Sequence, residues 1–566
     1  MSNLRARLLV ATVVASSLVA GSAPAATAGG GPLTYRYPSA ECPQGPTGLQ
    51  ACVDGAASGD IVLLTAEILD ETVAIRRSLT LQPESPTLIP LLRAIFVGDG
   101  TDPGTDADID VHLARMRVER GVGISSLTGT GDRVTIDRLT VGKNSTDAEG
   151  IAVNALSPIS VEIRRSFIRT LEDQEPALGF YVSAPSGDVS LLAIGNELTA
   201  AGSVGSGSGI DLRVQNDVHL DARIYSNVIH DVVQDNAGAA SGIVAYLDET
   251  ATVRLRIVGN TLDGIRSNGI GVRNDLVAPG HLVIDIVGNV VSHADGLGIR
   301  LDRQNPGTMT VRNGWNAFWK NDGGLALGGG KVGPGTITKR DPRYVNAGAN
   351  DFRLRADSPL IDAGQACTPG GLARLDKAGR ARWAGRQVDI GAYERGAGAS
   401  MGEIRMGDGG PDTLVGTAGR DILCGLGGKD RLTGRGGPDL LDGGAANDVL
   451  CAKDGSGSDV VLGGPGSDAA RRDAGDVIGG RLLILRPTLL RGAEDPLTLG
   501  DRRRRPSIAR DRSTPDLRAK GRCAEPVSAS STDRLTCPPD DAIIDTRCLG
   551  APPRSVGKYS LFHVRR

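Results

Sequence analysis

The stretch GDGGPDTLV (407–415), GTAGRDILC (416–424), GLGGKDRLT (425–433), GRGGPDLLD (434–442) and GGAANDVLC (443–451) repeats one phrase every nine residues. Two further copies, AKDGSGSDVVL (452–462) and GGPGSDAAR (463–471), continue it after a two-residue insertion. Every copy carries an aspartate at one place: Asp412, Asp421, Asp430, Asp439, Asp448, Asp459 and Asp468. A hard divalent cation asks for six to eight oxygens, and a short turn supplies one carboxylate with several backbone carbonyls. Glycines let those carbonyls converge, because a residue without a Cβ bends into left-handed or close-approach conformations at little cost. The three residues from the aspartate's successor onward form a minimal strand whose central apolar side chain (Leu414, Leu423, Leu432, Leu441, Leu450, Val461) points inward. Stacked copies then bury a thin aliphatic core. A Gly/Asp linker has no reason to keep such a phase.

In its form G-G-x-G-x-D-x-U-x, the stretch resembles the RTX, or haemolysin-type, calcium-binding repeat. The resemblance implies a parallel β-roll with two repeats per turn, calcium between neighbouring turns along each edge, and Ca2+ as the cofactor. It places the ligands on the seven aspartates and on the first- and fourth-position glycines, such as Gly407, Gly410, Gly416 and Gly419. Asp408 and Thr417 replace the second glycine, Ala446 a fourth-position glycine, and Ala470 the last bulky core residue, so the final turn is expected to be the weakest.

Upstream lies a looser repeat of glycine followed by an apolar residue: Gly123-Ile, Gly150-Ile, Gly179-Phe, Gly209-Ile, Gly242-Ile, Gly269-Ile, Gly298-Ile and Gly324-Leu. The spacing falls within the 20 to 50 residues typical of solenoids. Strand-like alternation follows most pairs, with Val153, Val182, Leu212, Ala245, Val272, Leu301 and Leu327 inward. Ahead of each pair runs a second short strand with a polar residue in one place: Asp137, Ser166, Asn196, Asn227, Asn260, Asn289 and Asn316. One rung apart, such side-chain amides can hydrogen-bond along the axis, so this column reads as a structural ladder. Residues 47–395 resemble the right-handed parallel β-helix of the pectate-lyase-like class. Thr47 to Leu64 is similar to the capping helix and first strand of such proteins, and Asp351 to Glu394 to the closing segment of bacterial surface β-helix proteins. The fold class expected is therefore all-β: a right-handed parallel β-helix followed by a calcium-binding parallel β-roll.

Two constellations could carry chemistry on the helix. Three residues after each apolar partner stand Asn154, Ser183, Arg213, Tyr246, Arg273 and Asp302, outward by alternation. Arg213, Tyr246, Arg273 and Asp302 make a stripe able to grip a sugar or an acidic polysaccharide, since guanidinium matches carboxylate in a two-point contact. His230 and Asp263 each follow a column asparagine by three residues, which sets them on neighbouring rungs with Arg169 two rungs earlier. A histidine oriented by a carboxylate suits proton abstraction beside a uronate carboxyl group.

Residues 1–28 read as a secretory signal: Arg5 and Arg7, an apolar run from Leu8 to Ala20, then the small-residue sites Ala23-Pro-Ala25 and Ala26-Thr-Ala28. The division expected is a signal peptide at 1–28, a capped β-helix at 33–395, a roll at 403–480 and a basic, mostly disordered tail at 481–566. The eight cysteines agree with an oxidising compartment, and Cys42 with Cys52 is the favoured disulfide. Cys424 and Cys451, three repeats apart, are expected on opposite sheets of the roll, facing outward and not bonded to each other. Cys523, Cys537 and Cys548 could staple the tail. A formal charge of only -3 over 566 residues points to neither nucleic acid nor a membrane surface, and no later run is long enough to span a bilayer. The reading is a secreted, extracellular or cell-surface calcium-binding protein whose β-helix presents a carbohydrate-binding or adhesive face. The alternative is an extracellular polysaccharide lyase or C5-epimerase acting on uronan glycans.

Overall fold

The computed structural model describes residues 32–484, apart from 41, 43–47, 99–107, 127–128, 144, 146–147, 172–174, 202–206, 234–239, 278, 306–307, 328–330, 397, 399–400, 456 and 480–481. The signal-peptide reading at 1–28 and the tail cysteines lie outside them. The chain divides into two compact units between Met401 and Gly402.

Among the described residues, the first unit is built on three parallel sheets of eleven, ten and ten strands. One rung shows the path: Asp217–Tyr225 in the first sheet, Val228–Val232 in the second, Ile243–Leu247 in the third, then Thr252–Val258 back in the first, beside its starting strand. This is the parallel β-helix the sequence implies. Alternation sends one residue of each pair inward, so like residues stack across rungs. Val153, Phe180, Leu212, Ala245, Val272 and Leu301 pair in register and are buried, as are Ile229, Leu262 and Val291 on the second sheet.

Two sequence columns now have causes. A Cβ on Gly242 would stand 2.5 Å from the Leu262 side chain and 2.8 Å from the Gly269 carbonyl oxygen of the next rung, so only glycine fits. At the corner before the second sheet, Arg165, Gly195, Ser226, Gly259 and Gly288 take φ between 49° and 67°, the left-handed region. Asparagine follows that corner and closes the ladder. Asn227 accepts at Oδ1 from the Asn196 backbone N–H (2.9 Å) and donates through Nδ2 to the Ala193 carbonyl (2.9 Å) and to Asn260 Oδ1 (3.0 Å). The pattern recurs at Asn260 and Asn289. Fully buried amides are thereby satisfied.

Three expectations shift. The ladder runs through Leu139, whose backbone N–H donates to Ser166 Oγ, and not through Asp137, which pairs with Arg165. At two rungs the glycine column passes through Gly121 and Ala177, each two residues before the glycine that the sequence aligns. The first strand of the first sheet is Thr34–Tyr37, ahead of the capping helix Gly48–Gly55 rather than behind it. That helix buries Leu49, Cys52 and Val53, and Cys52 is bonded to Cys42.

The closing segment, including the antiparallel pair Tyr344–Asn346 and Asp351–Leu354, folds back on the outer face of the second sheet. Tyr344, Phe352, Leu360 and Ile390 pack there against Val228, Val290 and Ala317. Its quoted carboxylates tie turns: Asp376 accepts from the N–H of Arg380 and Glu394, and Asp389 from that of Asp362 and Arg395. Arg382 and Glu394 form an ion pair at 2.8 Å, each 1% exposed.

The second unit is a roll of two five-stranded parallel sheets, among the described residues, with successive repeats alternating between them. Leu423, Leu432, Leu441, Leu450, Val461 and Ala470 fill its core. Cys424 and Cys451 lie on opposite sheets and outside the core cluster, as expected, but both are buried and in disulfides, as is Cys367. The roll passes the expected limit at 480, since Leu482–Ile484 pairs with Asp468–Ala470.

Candidate calcium sites and the outer face of the helix

Each edge of the roll is a ladder of aspartates. On one edge the backbone N–H of Asp412, Asp430 and Asp448 donates to Oδ1 of Asp430, Asp448 and Asp468 at 2.8 to 3.0 Å. On the other, Asp421, Asp439 and Asp459 donate likewise to Asp439, Asp459 and Asp476 at 2.9, 2.8 and 3.2 Å. Asp476 is a ladder member that the sequence reading omitted. It stands one residue short of the phase after Asp468, in a shortened turn.

The second carboxylate oxygen is where an ion belongs. Oδ2 of Asp430, Asp439, Asp448, Asp459 and Asp468 is buried without a hydrogen-bond partner, although buried polar atoms are ordinarily satisfied. The first-position glycine makes room for it: a Cβ on Gly407, Gly425 or Gly434 would lie 2.2 to 2.3 Å from Oδ2 of Asp412, Asp430 or Asp439. Gly416 stands in the same relation to Asp421, at 2.6 Å. Negative charge so enclosed is costly. Burial pushes the carboxyl groups of Asp430, Asp448 and Asp476 above the usual range, and takes Asp439 up to about 8 and Asp459 to about 7. Backbone N–H donors oppose the rise, and neighbouring carboxylates add to it. Anionic, rigid, under-satisfied oxygens at regular spacing are the donor set of a hard cation, so these residues fit calcium.

The fourth-position glycines divide. Gly428 and Gly437 need their left-handed φ of 108° and 97°, whereas a Cβ on Gly419 would meet ordinary contacts and one on Gly410 only a tight approach of 3.3 Å to Asp408 Oδ1. Ala446 holds φ 87° in the same place. At the end expected to be weakest, Asp468 is 2% exposed and Ala470 fully buried, with a further strand paired beyond them, and Asp412 is the half-buried end of its ladder.

On the β-helix, the outer column of the third sheet reads Asn154, Tyr181, Arg213, Tyr246, Arg273 and Asp302, each in register with the next. Tyr181 takes the place assigned to Ser183. The Arg213 guanidinium stands 5.6 Å from the Tyr181 ring centroid and 5.5 Å from that of Tyr246, within cation–π range. Its charge is met by Asp211 at 2.8 Å, while Arg273 pairs with Asp275 and Arg300 with Asp302. Burial, helped by the Asp211 carboxylate, raises both phenols above their ordinary range, so they stay hydrogen-bond donors.

The other column runs Arg169, Thr199, His230, Asp263 and Ser292 across neighbouring strands. Register therefore sets His230 beside Asp263, but each turns to other partners. His230 Nδ1 meets Asp231 at 2.8 Å and Nε2 meets Glu197 at 3.4 Å, while Asp263 accepts from Ser292 (2.5 Å) and His293 (2.9 Å). Arg169 donates to the Lys143 carbonyl. His230 is 3% exposed beneath the closing segment, its ring 5.6 Å from that of Phe352. Burial lowers its affinity for a proton, but the two carboxylates prevail and the net shift is upward.

The family described as the RTX calcium-binding nonapeptide repeat (4 copies) matches at residues 406–441, 425–456 and 433–470, so the second unit carries RTX calcium-binding repeats. No curated protein matches the chain. Among solved structures, the chain is similar to pectate lyase Pel9A with 12% identity over 65% of this chain and 97% of that one, TM-score 0.39. It is also similar to the PL6 family alginate lyase AlyGC, with 11% identity over 79% of this chain and 71% of that one, TM-score 0.21. No helix among the described residues is long and apolar enough to cross a membrane.

Proposed function

We propose that this is a secreted calcium-binding protein whose β-helix presents a carbohydrate-binding or adhesive face, set on the column from Tyr181 to Asp302. The observation that carries the reading is the alternation of ring and guanidinium along that column, Tyr181, Arg213, Tyr246 and Arg273. Rings held on a rigid sheet stack on sugar faces, and the phenol and guanidinium donors address hydroxyl or carboxylate groups. Because Asp211, Asp275 and Asp302 already balance the cations, stacking contributes more than net charge. Secretion follows from the signal-like residues 1–28 and fits the Cys42–Cys52 disulfide.

Retention of the full-length chain on immobilised pectate, alginate and cell-wall polysaccharide tests the face. Tyr246→Ala and Arg213→Ala should each weaken retention at least several-fold, with only a modest effect of salt. Equal retention of wild type and both variants overturns the assignment. The lyase or epimerase alternative rests on His230, which a polymer reaches only when the closing segment lifts. Ultraviolet absorbance of unsaturated products, and NMR for epimerised ones, tests it on the same uronans. Turnover abolished by His230→Ala would replace the adhesive reading.

A further inference from the structure

The turn that breaks the nine-residue phase also breaks the symmetry of the roll. On one edge all four turns keep glycine at the first position: Gly407 before Asp412, Gly425 before Asp430, Gly443 before Asp448 and Gly463 before Asp468. On the other edge the first two turns do so, with Gly416 and Gly434. The third then runs from Ala452 to Asp459 with two added residues, and the fourth is cut short before Asp476.

The lengthened turn brings a third carboxylate to the ladder. Oxygens of Asp439, Asp454 and Asp459 lie within 4.8 Å of one another. Ligands on opposite sides of a calcium ion stand about 4.6 to 5.2 Å apart, at Ca–O distances of about 2.3 to 2.6 Å, so three such oxygens fit around one ion. A second observation points to a ligand independently of the clustering. Asp439 and Asp459 are 0% exposed, each commits Oδ1 to a ladder N–H, and each keeps Oδ2 buried with no partner. With Oδ1 held, neither side chain can rotate its second oxygen out to water.

The backbone at Asp454 is held as well. The Asp473 carboxylate accepts from the backbone N–H of Asp454 at 3.0 Å and of Gly455 at 2.7 Å, and Asp473 gives its own N–H to Asp476 Oδ2 at 2.7 Å. The short fourth turn thus braces the long third one.

We propose that Asp439, Asp454 and Asp459 form a three-carboxylate calcium site, created by the insertion, that fills before the sites of the regular edge. The proposal rests on the reading of these repeats as calcium-binding. Calcium affinity follows the number of charged ligands and the rigidity of the site, and a regular turn brings one carboxylate where this one adds a second. Magnesium, which keeps its waters and demands a tighter octahedron, should compete poorly.

Hydrogen–deuterium exchange of the full-length chain during a calcium titration tests the order. Peptides spanning 439–459 should gain protection at a calcium concentration at least tenfold below that protecting peptides spanning 407–430. Asp454→Asn should raise the first midpoint at least tenfold and leave the second in place, and Asp412→Asn should do the reverse. Coincident or inverted midpoints in the wild type overturn the proposal without any variant having to fold, and so does an Asp454→Asn midpoint equal to wild type. Absence of protection anywhere at millimolar calcium would instead overturn the calcium reading itself, and this site with it.

Discussion

Replacing Asp439 by Asn should stabilise the roll without calcium and destabilise it with calcium. The amide keeps the acceptor that Asp421 N–H uses at 2.9 Å and removes the charge on the oxygen that has no partner. Two carboxylates with oxygens within 4.8 Å repel by about 3 kcal/mol at an effective dielectric constant of about 20, so losing one charge relieves up to that much. Protonation offers the wild type the same relief at low pH, which fixes the conditions. Asp439 titrates at about 8 in the calcium-free fold against about 3.9 in an unfolded chain. The folded state therefore binds the extra proton, and this group's contribution to calcium-free stability is full below about pH 4 and is lost as pH rises to about 8. At pH 9 in EGTA, Asp439→Asn should show slower exchange in 421–460 by about 1 to 3 kcal/mol of local opening free energy. In saturating calcium the order inverts. A tenfold loss of affinity at one site removes about 1.4 kcal/mol of linked stability, and acidification now weakens the wild type because protons compete with the ion. Hydrogen exchange of wild type and variant at pH 6 and 9, with and without calcium, reads all four corners. Destabilisation by Asp439→Asn in both EGTA and calcium at pH 9 would refute the reasoning.

Along the ladders, Asp439→Ala should raise the calcium midpoint of the roll more than Asp412→Ala, since Asp439 has neighbours on both sides and Asp412 ends its ladder; equal midpoints in a calcium titration would contradict the stacking. Ala446→Gly should stabilise the calcium-loaded roll by about 1 kcal/mol, because a Cβ at φ 87° is strained, and a thermal melt in calcium checks it. Arg382→Ala should cost about 3 to 5 kcal/mol by leaving Glu394 buried and unpaired, with fast exchange confined to 344–395. The closing segment should also loosen as pH rises: His230 binds its proton more tightly folded than unfolded, so that contribution is full below about pH 6.5 and lost above the folded value, which exchange of 228–232 reports.

The roll was legible because its signal is dense. Each nine-residue unit needs a first-position glycine for Asp Oδ2 to lie against, an aspartate to accept from the preceding turn's backbone, and one leucine for the core, so three constraints recur at fixed spacing. Asp476 escaped because the phase that reveals the others is broken by one residue there, and Asp454 because it lies in the insertion itself. The β-helix was legible where a phrase such as Ile257-Val-Gly-Asn260 carries both the left-handed corner and the ladder amide, since few residue types serve either place.

Where alanine stands in the glycine column before the third sheet, as at Ala177, the reading slips by two residues to Gly179. A two-residue slip preserves which side chains face in and which face out, so alternation cannot expose it. Val182 and Phe180 are both buried, and Ser183 and Tyr181 both point outward. Only the hydrogen-bonded register, Phe180 on Leu212 and Tyr181 on Arg213, separates the two choices. The consequence falls on function rather than on fold. With Ser183 the outer column has one ring beside Arg213, and with Tyr181 it has two, closing the guanidinium between them at 5.6 and 5.5 Å. The same reasoning applies to His230 and Asp263. Register made them neighbours, but a strand pairing fixes only which backbones are adjacent. The closing segment, more than a hundred residues downstream, decided where the imidazole turned by bringing Phe352 over it, and Lys377 holds Glu197 beside it. Sequence spacing therefore locates columns on such a helix, and what covers a column decides whether its polar groups meet solvent, a polymer or one another.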